Sequence, residues 1–120
     1  MSRALNISAK VKHRKMAMLH IAQEGVCCHC GHLMISPAQA RTERGSAPPR
    51  PNDPTLEHVT PRAVGGKNAN GNLLLAHRRC NDARGVKPLS YAAHRMHEQV
   101  LAWLFVHQQS EFRLLDGVRQ

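Results

Sequence analysis

Large aromatic side chains are almost missing from this chain, with one Trp, one Tyr and two Phe in 120 residues. A domain of that size buries a modest share of its surface, and without rings its core is thin, so a staple is expected. Acidic residues are also scarce: eight Asp and Glu stand against seventeen Lys and Arg, a formal charge of +9. This imbalance favours a polyanionic partner, nucleic acid ahead of an anionic membrane, with a basic but inert surface as the alternative. Long apolar runs are lacking too, which excludes a membrane-spanning helix. The most apolar stretch near the N-terminus, Met16 to Ala22, is interrupted by His20. It reads as an amphipathic helix and not as an export signal, so a cytoplasmic location and no membrane partner are expected. Thiols stay reduced there, and the four cysteines are expected to bind metal in place of forming disulfides.

One domain over residues 1–120 is expected from this length. A first helix is predicted over 8–24, with Ser8 as N-cap, Gly25 as stop and Val11, Met18, Leu19 and Ala22 on one face. Lys10, Lys12, His13, Arg14 and Lys15 make its opening turns basic, either a phosphate-contacting face or a solvated one. A tight knuckle at 27–31 follows. Residues 36–54 hold Pro37, Pro48, Pro49, Pro51 and Pro54, five of the seven prolines, and are predicted to be a loop. Between 55 and 87 the texture changes to strand (TLEHVT), glycine-rich turn (PRAVGGKNANG), second strand (NLLLA) and short helix (HRRCNDAR), which Gly85 and Pro88 end. Ser90 caps a predicted C-terminal helix over 89–109, whose stripe Ala93, Met96, Val100, Leu101 and Leu104 would serve as core or as a homodimer contact.

Cys27 and Cys30 are two residues apart and followed by Gly31, the spacing of a zinc knuckle. A pair with the same spacing, His77 and Cys80, begins 47 residues after Cys30. Three thiolates and one imidazole make a closed tetrahedral set suited to structural zinc. A redox pair at Cys27 and Cys30 is the competing reading, but no thioredoxin-like strand–helix pattern surrounds it. Cys28 is an extra thiol that could replace Cys27 as ligand, while His29 and His32 read as bystanders.

Between the two half-sites lie Glu57, His58, Pro61, Gly65-Gly66, Asn72-Leu73 and Asn81, with Asn72 and Asn81 falling 14 and 23 residues after His58. This order of residues resembles the HNH (His-Asn-His) endonuclease family. It covers 56–85, about a quarter of the chain, and more than 50 residues once Cys27 and Cys30 are included. The resemblance implies an α+β fold, a small ββα-metal (His-Me finger) core at 55–87 stapled by zinc and flanked by N- and C-terminal helices. It implies that Glu57 and Asn81 hold one catalytic divalent ion and that Asn72 orients His58 directly or by fixing the loop between the strands. Both ligands are oxygen donors, which favours magnesium or manganese. Gly85 occupies the place, four residues beyond Asn81, where some family members carry a further His suited to softer metals.

The chemistry supports the same residues. Phosphodiester hydrolysis needs an activated water, charge on the phosphate and help for the departing oxygen. Histidine is the side chain suited to a general base near neutral pH, and it must be neutral to act, so activity should rise with pH. Neighbours on a strand leave from opposite faces, so bringing Glu57 and His58 to one ion has a geometric cost. Arg62, Arg78, Arg79, Arg84 and Lys87 are candidates for DNA-backbone contacts, with Arg62 and Arg84 first in line to stabilise the scissile phosphate. Without a base-reading helix, recognition of DNA should be weak in sequence terms. A non-catalytic zinc module that binds nucleic acid is the alternative; it would not need Glu57, His58 and Asn81 together. A toxin-like nuclease would use the same catalytic residues. By analogy to the family, the chain suits a phage or prophage gene in a bacterial host, with packaging proteins as partners.

Overall fold

The computed structural model describes the backbone of residues 7–119 and the side chains of residues 7–107. Along the chain run α1 (Ala9–Ala22), α2 (Pro37–Arg44), β1 (Pro54–His58), β2 (Leu73–His77), α3 (Arg78–Arg84) and α4 (Tyr91–Arg119). Short 3-10 turns at Arg62–Val64 and Asn70–Asn72 sit in the loop between the strands. The fold is therefore α+β with a β-hairpin followed by a helix, compatible with a small ββα-metal core.

Both capping serines act as their sequence positions suggest. Ser8 accepts from the Val11 amide at 3.2 Å, and Ser90 accepts from the Ala93 amide at 3.2 Å. The C-terminal helix differs from expectation in length: it runs through 109 to Arg119, because no glycine or proline lies between 91 and 116 to stop it. Most of its stripe is core, with Ala93, Val100 and Leu104 buried, while Leu101 is 42 % exposed.

The expected loop over 36–54 needs correction, since its first half is α2. Ser36 accepts from the Gln39 amide at 3.1 Å, and Pro37 stands in the first turn, where its missing N–H costs nothing. Gln39 then donates to Glu43 one turn later at 2.9 Å. The remainder is tied down at Asp53, whose carboxylate accepts from the Arg50 amide (2.8 Å) and guanidinium (2.9 Å).

β1 and β2 pair antiparallel, with Leu56 opposite Leu75 and His58 opposite Leu73. Every residue of β2 is buried. Leu73, Leu74, Leu75 and Ala76 pack with Met16, Leu19 and Ala22 of α1 and with Ala93, Val100 and Leu104 of α4. Two strands alone are marginal in water, so this cover is what stabilises the hairpin. The edges of the hairpin are closed by side chains. On the β2 side, buried Gln23 accepts from the Leu75 amide (2.7 Å) and donates to the Leu75 carbonyl (2.9 Å), imitating a strand residue. On the β1 side, Asn81 donates to the Leu56 carbonyl at 2.9 Å. The Cys28 amide also reaches the Leu75 carbonyl at 3.2 Å, docking the knuckle on β2.

The loop that joins the strands turns at Gly65, which adopts φ +100°, and Gly66. A Cβ on Gly66 would fall 1.6 Å from the Thr60 carbonyl oxygen, so this position admits glycine alone.

Candidate active site

The knuckle and the start of α3 converge. Ligand atoms of Cys27, Cys30, His77 and Cys80 all lie within 4.8 Å of one another, and Cys30 Sγ is 3.4 Å from His77 Nδ1. A tetrahedron with zinc–sulfur bonds of about 2.3 Å needs donors roughly 3.8 Å apart, so this Cys3His set could hold one zinc. Backbone amides of His29 and His77 each donate to Cys27 Sγ at 3.4 Å, as they would to a thiolate. Burial opposes ionisation of Cys30, but donors from the His32 backbone and ring and from Cys27 and His77 outweigh it and bring its thiol down to about 6. Cys80 is pushed up to about 12 by burial and then by the neighbouring Cys27. Thiols crowded this closely resist joint ionisation unless a cation sits among them, which is what the donor set suits. Cys27 joins this set and Cys28 does not: Cys28 lies 2 % exposed in the core, where burial pushes its thiol well up.

Glu57 and His58 leave β1 on different sides. Glu57 is 3 % exposed and faces α3. Its Oε2 accepts from His29 Nε2 at 2.5 Å, and its Oε1 lies 3.3 Å from Arg84 Nη1. His29 is therefore no bystander, correcting the reading from sequence. The knuckle turn that sets the zinc ligands also aims the intervening imidazole at β1, a contact across 28 residues that local spacing does not display. Asn81 stands on α3 beside this pair; with its Nδ2 given to Leu56, its Oδ1 has no protein partner among the described residues. A carboxylate, a free amide oxygen and an imidazole are donors that fit a divalent ion.

Arg84, expected at the DNA backbone, is buried at 8 % exposure. It donates to the His58 carbonyl (2.7 Å), the Val59 carbonyl (2.9 Å) and the Lys87 carbonyl (2.5 Å). It is thus a clamp holding the end of β1 to α3, with its charge beside Glu57.

His58 faces the other way, into an open cavity of about 360 Å³ lined by Lys12, Thr55, Arg62 and Asn68, among others. Its Nε2–H donates to Asn68 Oδ1 at 2.8 Å, which leaves Nδ1 as the ring nitrogen with a lone pair. Asn68 was not singled out in the sequence, where it is one of several Asn in a glycine-rich turn. Asn72 makes no bond to His58. It accepts from the Thr60 amide (2.8 Å) and donates to the Thr60 (3.1 Å) and Lys67 (2.8 Å) carbonyls, so it fixes the loop that presents Asn68. Lys15 of α1, which bonds Asn70, and His97 of α4, which bonds the Gly71 carbonyl, hold the same loop from outside.

The remaining cations are spread out. Arg62 is exposed at the mouth of the His58 cavity, and Lys87 is exposed beyond α3. Arg79 donates to Asn52 (2.7 Å) and approaches Cys80 Sγ (3.6 Å). Arg78 is half-buried and turns toward α1 and α2.

Residues 42–87 match the HNH endonuclease family model, a stretch running from within α2 through the hairpin to the end of α3. The hairpin, short helix and Cys3His set around that stretch are compatible with the small ββα-metal fold of the family. No curated protein and no solved structure matches the chain. The matched stretch contains His77 and Cys80 but leaves Cys27, Cys30 and His29 outside it. Among the described residues, no helix is long and apolar enough to cross a membrane.

Proposed function

We propose that this chain is a metal-dependent endonuclease that hydrolyses phosphodiester bonds of DNA with little sequence preference. The observation that carries the reading is the His58 imidazole, fixed by Asn68 through Nε2 with Nδ1 left as acceptor, beside exposed Arg62 in an open, basic cavity.

The residues act in sequence. His58 Nδ1 accepts a proton from a water as that oxygen attacks phosphorus and the bond to the 3′-oxygen breaks. Arg62 and Lys12 meet the phosphate oxygens at the cavity mouth, with charge-assisted bonds that strengthen as negative charge accumulates. Asn68 sets the ring's tautomer, and Asn72 sets Asn68. Glu57 and Asn81, on the opposite side of β1 from the His58 cavity, are the oxygen donors that would hold magnesium or manganese, and such an ion would supply Lewis-acid charge to a phosphate that reaches that side. His29 and Arg84 orient the Glu57 carboxylate, and Arg84 also fixes the backbone from which His58 projects. Cys27, Cys30, His77 and Cys80 would hold a zinc that ties the knuckle to the start of α3, and with it Asn81. One site per chain implies that a single copy cuts one strand per encounter.

Conversion of supercoiled plasmid by zinc-loaded protein with magnesium, manganese or EDTA, alongside His58→Ala, tests this. Metal-dependent nicking by the wild type that His58→Ala abolishes is the expected result. No cleavage with either metal would leave a zinc-containing nucleic-acid-binding module as the better reading.

A further inference from the structure

On the α1–α2 side of the hairpin lies a second cavity, of about 180 Å³, lined by Lys12, His13, Arg41, Arg44, Asp53 and Arg78 among others. Four cations and one imidazole surround a single carboxylate, and that carboxylate is already engaged. Arg50 holds Asp53 at 2.8 Å, and Arg44 approaches it at 3.6 Å. Lys12 and Arg41 make no side-chain hydrogen bond or ion pair among the described residues. Nε of Arg78 is buried without a hydrogen-bond partner. A buried guanidinium N–H left unpaired is costly, and its presence signals an acceptor that the protein itself does not provide. His13 feels the same crowding: burial, then the charges of Arg41, Lys12 and Arg44, lower its pKa.

This cavity and the one at His58 share Lys12 and Thr55 in their walls, so they lie side by side with one lysine between them. We propose that the α1–α2 cavity is a second phosphate site, which takes a backbone phosphate of the DNA strand neighbouring the phosphate held at His58. The site is formed by Arg41 from α2, Lys12 from α1 and Arg78 from the start of α3, three elements that meet around this cavity. It rests on the reading of the substrate as DNA and deepens it: the strand is gripped on the α1–α2 side of the scissile bond, which fixes its direction across His58. Phosphate contacts of this type position a strand without reading bases, in keeping with low sequence preference.

The test is the salt dependence of binding to a short DNA duplex, followed by fluorescence anisotropy on zinc-loaded protein without added magnesium. Arg41→Gln and Arg78→Gln are compared with wild type and with Arg95→Gln, an exposed α4 arginine paired with Glu98. Loss of one phosphate contact should weaken binding roughly tenfold and flatten the slope of log K against log salt by about 0.9. Since both arginines would meet one phosphate, the double variant should lose less than the sum of the two singles. Arg95→Gln should keep the wild-type slope. Arg78 lies between zinc ligands, so zinc content is measured for its variant; Arg41 lies on α2, away from the ligands, and reads the site without that complication. Wild-type slopes in both variants, an equal loss in Arg95→Gln, or no DNA binding by the wild type would overturn the proposal. Altered slopes in a protein that never cleaves plasmid would uphold the phosphate site and remove the nuclease reading. Plasmid cleavage with unaltered slopes would do the reverse.

Discussion

The two faces of β1 are built to opposite specifications. On one, Glu57 is sealed at 3 % exposure between the His29 imidazole and the Arg84 guanidinium, within a shell organised by the Cys3His set. On the other, His58 looks into an open cavity and is held by a hydrogen bond to Asn68 of the loop. Adjacent residues on a strand must diverge in this way. One face therefore fixes a charged group by burial and many bonds, whereas the other keeps a proton acceptor accessible. Stability should be concentrated on the Glu57 face and turnover on the His58 face.

The largest expected effect comes from removing the zinc set. Cys80→Ala, or stripping with a strong chelator, should unfold the domain, since structural zinc contributes on the order of 10 kcal/mol in small domains. Circular dichroism and zinc content would check this, and a native-like melt without zinc would dissolve the contrast between the faces. His58→Ala should then cut plasmid cleavage roughly 10²- to 10⁴-fold while the melting temperature and zinc content stay at wild-type values. A large drop in melting temperature would mean that His58 belongs to the structural side. Glu57→Ala should lose activity and also about 3 kcal/mol of stability, because it strands a buried guanidinium. Urea unfolding measures that cost; a neutral result would show that His29 and Arg84 are satisfied without the carboxylate. Smallest is Asn68→Ala, which frees the His58 ring without touching the core. It should lower kcat about 10- to 100-fold with little change in DNA affinity, an effect seen in single-turnover kinetics.

Much of this layout could be read from spacing. The Cys3His cluster was legible because each pair is local and leaves a fixed gap, and α1 and α4 announced themselves through Ser8 and Ser90. The hairpin was legible from the apolar run NLLLA and the Gly65-Gly66 turn. What stayed hidden depends on where elements meet. The proline count around 36–54 masked α2, although Ser36, Pro37 and Gln39 form an ordinary helix start. His29 became a partner of Glu57 only through the docking of the knuckle on β2, across 28 residues. Arg84 looked like every other surface arginine near the motif, yet helix α3 turns it inward to three carbonyls. Asn68 could not be told from its neighbours Asn70 and Asn72 without the path of the loop. In each case the residue type was visible and its partner was not.

The side chains that close the two edges of the hairpin also bear on how self-sufficient the matched stretch 42–87 is. Gln23 seals the β2 edge and comes from α1, outside residues 42–87, as do Cys27 and Cys30. A fragment cut to the motif alone would keep Asn81 on one edge but bare the backbone of Leu75 on the other. It would hold two of the four thiolate and imidazole donors. Exposed strand edges pair with one another, so such a fragment should self-associate before it could act. A graft of this stretch onto another protein should therefore include the preceding helix and knuckle, or a new segment able to cap the same strand.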